Sequence, residues 1–228
     1  PAGGALDFAQ AVKAVRFRGQ AMQRAVPVGV GAMTAYVGAQ AARVEEICRN
    51  ETKPGAAVEV VNFNSRSQLV LSGHKSAVER VSKIIGDEKL GRAIALAVSA
   101  PFHSSLMKPA AEEMERYLED IKLSPLGTTL HANVDAKAYT GTAYDKNMLV
   151  LQVASAVLWT QTLEAIRGEL RTGAGAEASA DDAASRTWVE VGTGSVLQGL
   201  LKKTLDGETA LGTADAASVR ALLAKVGA

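Results

Sequence analysis

Apolar residues fall at helical spacing directly after Asp7, a good N-cap: Phe8, Ala11, Val12, Val15, Met22 and Val26 share one face, and Pro27 closes the element. On the same wheel Lys13, Arg16 and Arg24 lie opposite, whereas Arg18 sits beside Ala11 and Val15 at the edge of the apolar stripe. From Gly31 the pattern changes to a compact alternation. It predicts a strand over Ala32 to Val37, a helix over Ala41 to Arg49, strands over Val58 to Phe63 and Leu69 to Ser72, a helix over Lys75 to Ile85, and a strand over Arg92 to Val98. The order β-α-β-β-α-β is that of a ferredoxin-like unit, four strands with both helices on one face.

After Val98 the apolar strand runs into Ser99-Ala100-Pro101-Phe102-His103, and a helix opens at Ser104 or Ser105 with Pro109 in its first turn. A short strand is expected around Thr129 to Val134. The uncharged run Asn147 to Leu163 contains Gln152 and falls short of the roughly 20 apolar residues of a bilayer-spanning helix, so it reads as a buried helix. Another helix follows over Thr160 to Leu170. Thr172 to Arg186, rich in Gly, Ala, Ser and Asp and without periodicity, reads as a flexible surface insertion. A strand over Trp188 to Val191, a Gly192-Thr193-Gly194 turn, a helix through Leu205 and a last small strand and helix end by Val226. The fold class is α/β: a discontinuous body of residues 1–30 and 99–228, interrupted by the four-stranded unit of 31–98.

A chain of 228 residues should bury roughly 70% of its unfolded surface, enough for a core without disulfides or structural metal. The single Cys48 rules out an internal bridge and favours an intracellular reducing compartment. Net charge is +1, without the basic excess that draws a protein onto phosphate backbones, so nucleic acid is not an expected partner. Pro1 to Phe8 has neither a basic n-region nor an apolar h-region, and no secretory signal or membrane span is expected.

The chemistry-bearing candidates are few. His103, between a strand end and a helix start, can act as a general base if its second nitrogen is oriented, or can be structural. Arg18 is either a snorkelling side chain paired with an acid or a fixed guanidinium that receives a carboxylate bidentately. Gln152 is either a satisfied core amide or a group facing a cleft. Asn62, Asn64 and Gln68 bracket a strand-to-strand turn, where Asn commonly serves backbone conformation. His74 and His131 read as structural, and Cys48, among Glu45, Glu46 and Arg49, as inert. Gly192-Thr193-Gly194 lacks the rest of a phosphate-binding fingerprint and reads as a tight turn. No His, Cys and acid cluster has metal-ligand spacing, and neither metal nor cofactor is expected. No serine in the 228 residues has glycine two places away on each side, so a nucleophile elbow is absent from them.

Several segments together resemble a known family. They are Gly4-Ala5-Leu6-Asp7-Phe8, Arg18-Gly19-Gln20-Ala21-Met22-Gln23, Val61-Asn62-Phe63-Asn64-Ser65 with Gln68, and Ser72-Gly73-His74-Lys75. Pro101-Phe102-His103-Ser104-Ser105-Leu106-Met107-Lys108-Pro109-Ala110, Asn133-Val134-Asp135, Trp159-Thr160 and Glu190-Val191-Gly192-Thr193-Gly194-Ser195-Val196-Leu197 continue them. In family order across nearly the whole chain, they resemble malonyl-CoA:acyl-carrier-protein transacylases and the related acyltransferase domains of fatty-acid and polyketide synthases. The resemblance implies an α/β-hydrolase-like large subdomain with an inserted ferredoxin-like subdomain. It implies ping-pong transfer of a malonyl group from malonyl-CoA, through a serine, to the phosphopantetheine thiol of acyl carrier protein.

In that resemblance His103 matches the histidine that takes the serine proton and returns it to the leaving thiol. Arg18 matches the arginine that binds the malonyl carboxylate, Gln152 the residue whose carbonyl orients the histidine, and Asn64 and Gln68 a polar pair near the cleft. The resemblance places the start of the chain just past the family's serine elbow, with Thr193 standing where the family has proline. It implies a monomeric, soluble intracellular protein, cytoplasmic in a bacterium or in an organelle matrix in a eukaryote. Two other readings stay open: an inactive remnant that still binds acyl carrier protein or CoA, and a small-ligand regulatory module formed by Gly31 to Val98.

Overall fold

Strand β1 (Gly31–Val37) is the element around which the best-packed part of the chain is organised. It lies between β3 (Gln68–His74) and β4 (Arg92–Ala95), antiparallel to both, and β2 (Val58–Ser65) pairs with the outer side of β3, giving the order β2-β3-β1-β4. The strands alternate with helices α2 (Ala41–Glu51) and α3 (Lys75–Asp87). Tyr36, Leu69, Leu71 and Val58 from the sheet pack with Val44, Ile47, Val78, Val81 and Ile85 from the helices into one buried cluster. The period-2 and period-3.6 patterns of these segments agree with each other, and the expected ferredoxin-like order is the observed one. The computed structural model describes residues 1–172 and 187–226.

Helix α1 (Phe8–Ala25) starts as expected, with Asp7 accepting from the Gln10 N–H. Its buried face differs from the expected one. Ala11, Ala14, Ala21, Met22 and Val26 are buried, whereas Phe8, Val12 and Val15 are 76%, 51% and 70% exposed. Small side chains let α1 come close to α4 (Lys108–Leu118), and Met22, Ala110, Met114 and Leu118 fill the contact. The alanine ridge, rather than the larger valines, therefore defines the packed face.

Strand β4 is shorter than its apolar run. Leu96 still donates to the Met33 carbonyl, but Val98 N–H turns back on Leu96 O, so pairing stops before the expected end at Val98. A short 3-10 turn, Ser105–Met107, leads into α4. The expected strand around Thr129 to Val134 is one arm of a hairpin, β5 (Leu126–His131) with β6 (Ala138–Gly141). The uncharged run is not one buried helix. Helix α5 (Lys146–Leu151) stops with Gln152 as its C-cap, none of its residues is buried, and α6 (Trp159–Thr172) begins afresh. Between them Val157 N–H donates to Val61 O at 2.8 Å and Phe63 N–H to Val157 O at 3.0 Å, a bridge onto the edge of β2 that takes this segment out of the helix.

By Cα packing the chain divides into Pro1–Thr162 and Leu163–Ala228. The second unit contains the parallel pair β7 (Trp188–Glu190) and β8 (Ala210–Gly212) with α7 (Val196–Thr204) and α8 (Ala216–Val226). There the Glu190 carboxylate accepts from Leu197 and Gln198 N–H at the start of α7, which holds its pKa below the usual carboxylate range. Gly192 and Gly194, at φ 132 and 94, form the expected tight turn. Most of the expected insertion, residues 173–186, lies outside the described residues. Among the described residues no helix is long and apolar enough to cross a membrane.

Candidate functional site

The candidate site lies within the first unit and begins with a turn. Gly31 opens β1 where a Cβ would meet the Pro101 ring at 2.5 Å, so only glycine admits this close approach of the loop to the sheet. Ser104 Oγ donates to Pro101 O at 2.7 Å, Met107 N–H donates to Ser104 O, and Ser105 N–H donates to Glu59 Oε2 at 2.9 Å. Inside this set of ties His103 has φ 62, in the left-handed region. That conformation costs a non-glycine residue about 1–2 kcal/mol. Such strain tends to occur at functional positions. His103 does precede a helix, as expected, but it sits on this turn well after β4 rather than on the end of a strand.

His103 is half-buried, and its Nδ1 lies 3.0 Å from the Gln152 carbonyl oxygen. A carbonyl can only accept, so Nδ1 carries the proton of this bond and the neutral ring keeps its lone pair on Nε2. Gln152 can offer its carbonyl because α5 ends there: the last carbonyls of a helix have no partner inside it. Burial holds the imidazole below its ordinary value of 6.5. The hydrogen bond to Gln152 opposes this, the positive charge of Arg18 adds to it, and the backbone of Ser155 opposes it again.

Arg18, from α1, lines the same cavity as His103 and Gln152, a space of about 500 Å³ whose other walls include Leu130, Asn133, Tyr144 and Val157. Arg18 Nε is buried without a hydrogen-bond partner, and desolvation lowers the pKa of its guanidinium. A cation held this way favours a ligand that brings an anion and accepts two parallel N–H bonds. The cavity thus pairs a base with its lone pair on Nε2 and an under-satisfied guanidinium.

Asn64 and Gln68 are at the other end of β2 and at the start of β3, and neither lines this cavity. Sequence reasoning assigned no role to three contributors. Tyr144 follows β6, an element too short to leave a pattern, and Asn133 accepts from Leu158 N–H through its backbone. Glu59 reads as an ordinary outward polar position of a strand; its contact to Ser105 is visible only in three dimensions. A second cavity of about 470 Å³ reaches His103 past Cys48, Arg49 and Glu59. Burial, with Glu45 and Glu59 adding to it, pushes the Cys48 thiol up to about 12, which makes it a poor nucleophile at neutral pH. Among the described residues no group of three or more His, Cys, Asp or Glu side chains is placed to hold a metal ion.

Comparison with known proteins gives this geometry a context. The family described as the acyl transferase domain matches residues 1–224. The malonyl CoA-acyl carrier protein transacylase of Haemophilus influenzae is 39% identical over 219 residues, 96% of this chain and 65% of that protein. The crystal structure of malonyl CoA-acyl carrier protein transacylase from Clostridium perfringens superposes with a TM-score of 0.85 at 35% identity, over 98% of this chain and 66% of that one. A malonyl-transacylase solved in complex with its type II PKS acyl-carrier protein gives 0.85 at 35%, over 97% and 67%. The chain spans about two thirds of the length of the relatives it matches. Its fold is α/β, an α/β-hydrolase-like body carrying a ferredoxin-like unit, and the chain belongs to the acyl transferase domain family.

Proposed function

We propose that the chain takes part in moving a malonyl group from malonyl-CoA to the phosphopantetheine thiol of acyl carrier protein in fatty-acid synthesis. The observation that carries this reading is the pairing, in one cavity, of His103 Nδ1 with the Gln152 carbonyl at 3.0 Å and of an Arg18 guanidinium short of partners. In the proposed reaction a serine hydroxyl, contributed from outside these 228 residues, attacks the thioester carbonyl. His103 Nε2 takes its proton and returns it to the departing CoA thiol. The acyl-serine is then attacked by the carrier thiol, and the same nitrogen runs the proton transfer in reverse. Gln152 O holds the ring in the tautomer that makes Nε2 the base, and favours the imidazolium once it forms. Arg18 binds the malonyl carboxylate through two hydrogen bonds and so distinguishes malonyl from acetyl. Asn64 and Gln68 are assigned to substrate binding, as a polar pair near the cleft. The reading treats 31–98 as a unit inserted into a body of 1–30 and 99–228.

The names of the relatives, and the carrier complex among the solved structures, support substrate and partner. The test is transfer from malonyl-CoA to holo acyl carrier protein by the chain supplemented with the serine-bearing remainder of a relative such as that of Haemophilus influenzae. Malonyl-carrier should form with the supplement and not without it. The alternative reading, a protein that binds carrier or CoA without transfer, makes a different prediction. Carrier binding with no transfer in the supplemented chain would establish it. A malonyl adduct on the unsupplemented chain, seen by intact mass, would overturn both.

A further inference from the structure

The His103 to Gln152 hydrogen bond joins two stretches of irregular backbone. His103 is in the left-handed region, and Gln152 is the end of a six-residue helix. The first stretch has no regular element of its own and the second only this short helix, yet the bond between them is 3.0 Å. Strand β2 touches both. On one side it takes Val157, shortly after Gln152, into the bridge with Val61 and Phe63. On the other, Glu59 of the same strand reaches the Ser105 N–H, shortly after His103 and at the first residue of the 3-10 turn.

The carboxylate bond is charge-assisted, and it lies at the start of the helical run that continues into α4, where a negative charge is favoured. Glu59 and His103 also border the same cavity, so the clamp lies beside the ring.

We propose that Glu59 is a positioning residue for His103: its carboxylate ties the histidine turn to β2, the strand that also carries the Gln152 to Val157 loop. One strand then sets the separation of Nδ1 from its acceptor. The functional meaning of this inference rests on the role proposed for His103 above. Its physical content is the tautomer. With the clamp in place the neutral ring carries its proton on Nδ1; without it the turn relaxes, the bond to Gln152 loosens and the proton is shared with Nε2.

The test is nitrogen NMR of the full chain with labelled histidine, at a pH where the rings are neutral. There are three histidines, and His103→Asn identifies the relevant signals. His74 supplies an internal reference of the opposite kind, because its Nδ1 accepts from Ala57 N–H at 3.0 Å and its neutral ring is therefore protonated on Nε2. His103 should show the Nδ1–H form. Glu59→Ala should raise its Nε2–H to Nδ1–H ratio roughly fivefold, the factor that one net hydrogen bond is worth. Glu59→Gln, whose amide oxygen still accepts from Ser105, should restore the original ratio.

Ser105→Pro removes the donor and leaves Glu59 intact. Proline suits a first helical position, and Ser104 is already extended at φ −90, ψ 170, as a residue before proline prefers. It should reproduce the Glu59→Ala spectrum, and it decides the matter alone if Glu59→Ala fails to fold. An unchanged His103 tautomer in Ser105→Pro, or a Glu59→Gln spectrum equal to that of Glu59→Ala, would overturn the proposal. Acyl transfer is not part of the readout, so a failure of the transferase reading and a failure of the clamp remain distinguishable.

Discussion

The four-stranded unit and the stretch that follows it are built on different terms. In the first, each strand has a partner along its length, and a continuous cluster from Tyr36 to Ile85 is nearly or wholly removed from water. In the second, from Leu96 to Leu158, only α4 matches a helix of the first in length, and the stretches between elements are tied to the sheet by isolated contacts: Leu96 to Met33, Ser105 to Glu59, and Val157 to Val61 and Phe63. The groups that can do chemistry are on the second. His103, Gln152 and the cavity wall at Asn133 and Tyr144 all belong to it, with Arg18 reaching in from α1. Regular pairing uses up backbone donors and acceptors, whereas helix ends and turns leave carbonyls and lone pairs free, and the sheet supplies the rigidity they lack.

Exchanging His103 tests the irregular region where the effect should be largest. His103→Asn keeps a residue that tolerates the left-handed conformation. In the chain supplemented with a serine-bearing segment it should lower transfer by roughly 100-fold to 10,000-fold, the scale of a general acid-base group. Thermal unfolding should change little. Full activity in this variant would remove His103 from the reaction.

The opposite test falls on β3. Leu71 is fully buried at the centre of the sheet cluster, and Leu71→Ala should cost about 2–5 kcal/mol in stability, measured by urea unfolding. With folded protein saturating the assay, transfer per folded molecule should stay close to the parent. If Leu71→Ala instead lowers the rate while leaving the unfolding midpoint in place, the division between scaffold and site is wrong.

That division also decided what could be read from the sequence. From Met33 to Ile85 the alternation of buried and exposed positions follows directly from which face the sheet and helices cover, and both order and type of element were legible. Gln152 was legible as a polar residue in an apolar run but not as a helix end. Nothing between Val150 and Trp159 is a glycine or proline, and the helix stops because Val157 pairs with β2, a partner about a hundred residues away in sequence. The packed face of α1 departs from its hydrophobic pattern for a related reason: hydrophobicity ranks Val12 and Val15 above Ala14 and Ala21, but close approach to α4 requires the alanines. His103 and Arg18 were legible as candidates; their meeting in one cavity depends on tertiary contacts that no local pattern encodes.

Arg18 gives a smaller and more selective effect. Arg18→Ala should lower malonyl transfer relative to acetyl transfer by about 1.5–3 kcal/mol, the value of hydrogen bonds to a charged group, read as the ratio of kcat/KM for the two acyl-CoA substrates. Arg18→Lys keeps the charge but not the planar fork and should recover only part of the ratio. Equal losses for both substrates, with a lower unfolding midpoint, would make Arg18 a support of the irregular region rather than a reader of the substrate.

The smallest expected effect is on stability against pH, and it measures how deeply the irregular region buries its histidine. Burial, reinforced by Arg18, holds the folded-state constant of His103 below the ordinary 6.5. Between those two values the unfolded chain binds a proton that the folded chain does not, so stability is intact above pH 6.5 and falls as pH drops toward the folded-state constant. Once pH is below both, this contribution is fully lost. Carboxylates such as Glu190, held low by its bonds to the α7 N–H groups, titrate at more acidic pH and produce a separate decline. The parent chain should therefore lose stability below pH 6.5 by more than His103→Asn does, its urea midpoint falling relative to that of the variant as pH drops. Parallel midpoints over that interval would mean that the imidazole titrates alike in both states, and that the cavity admits water freely enough to solvate it.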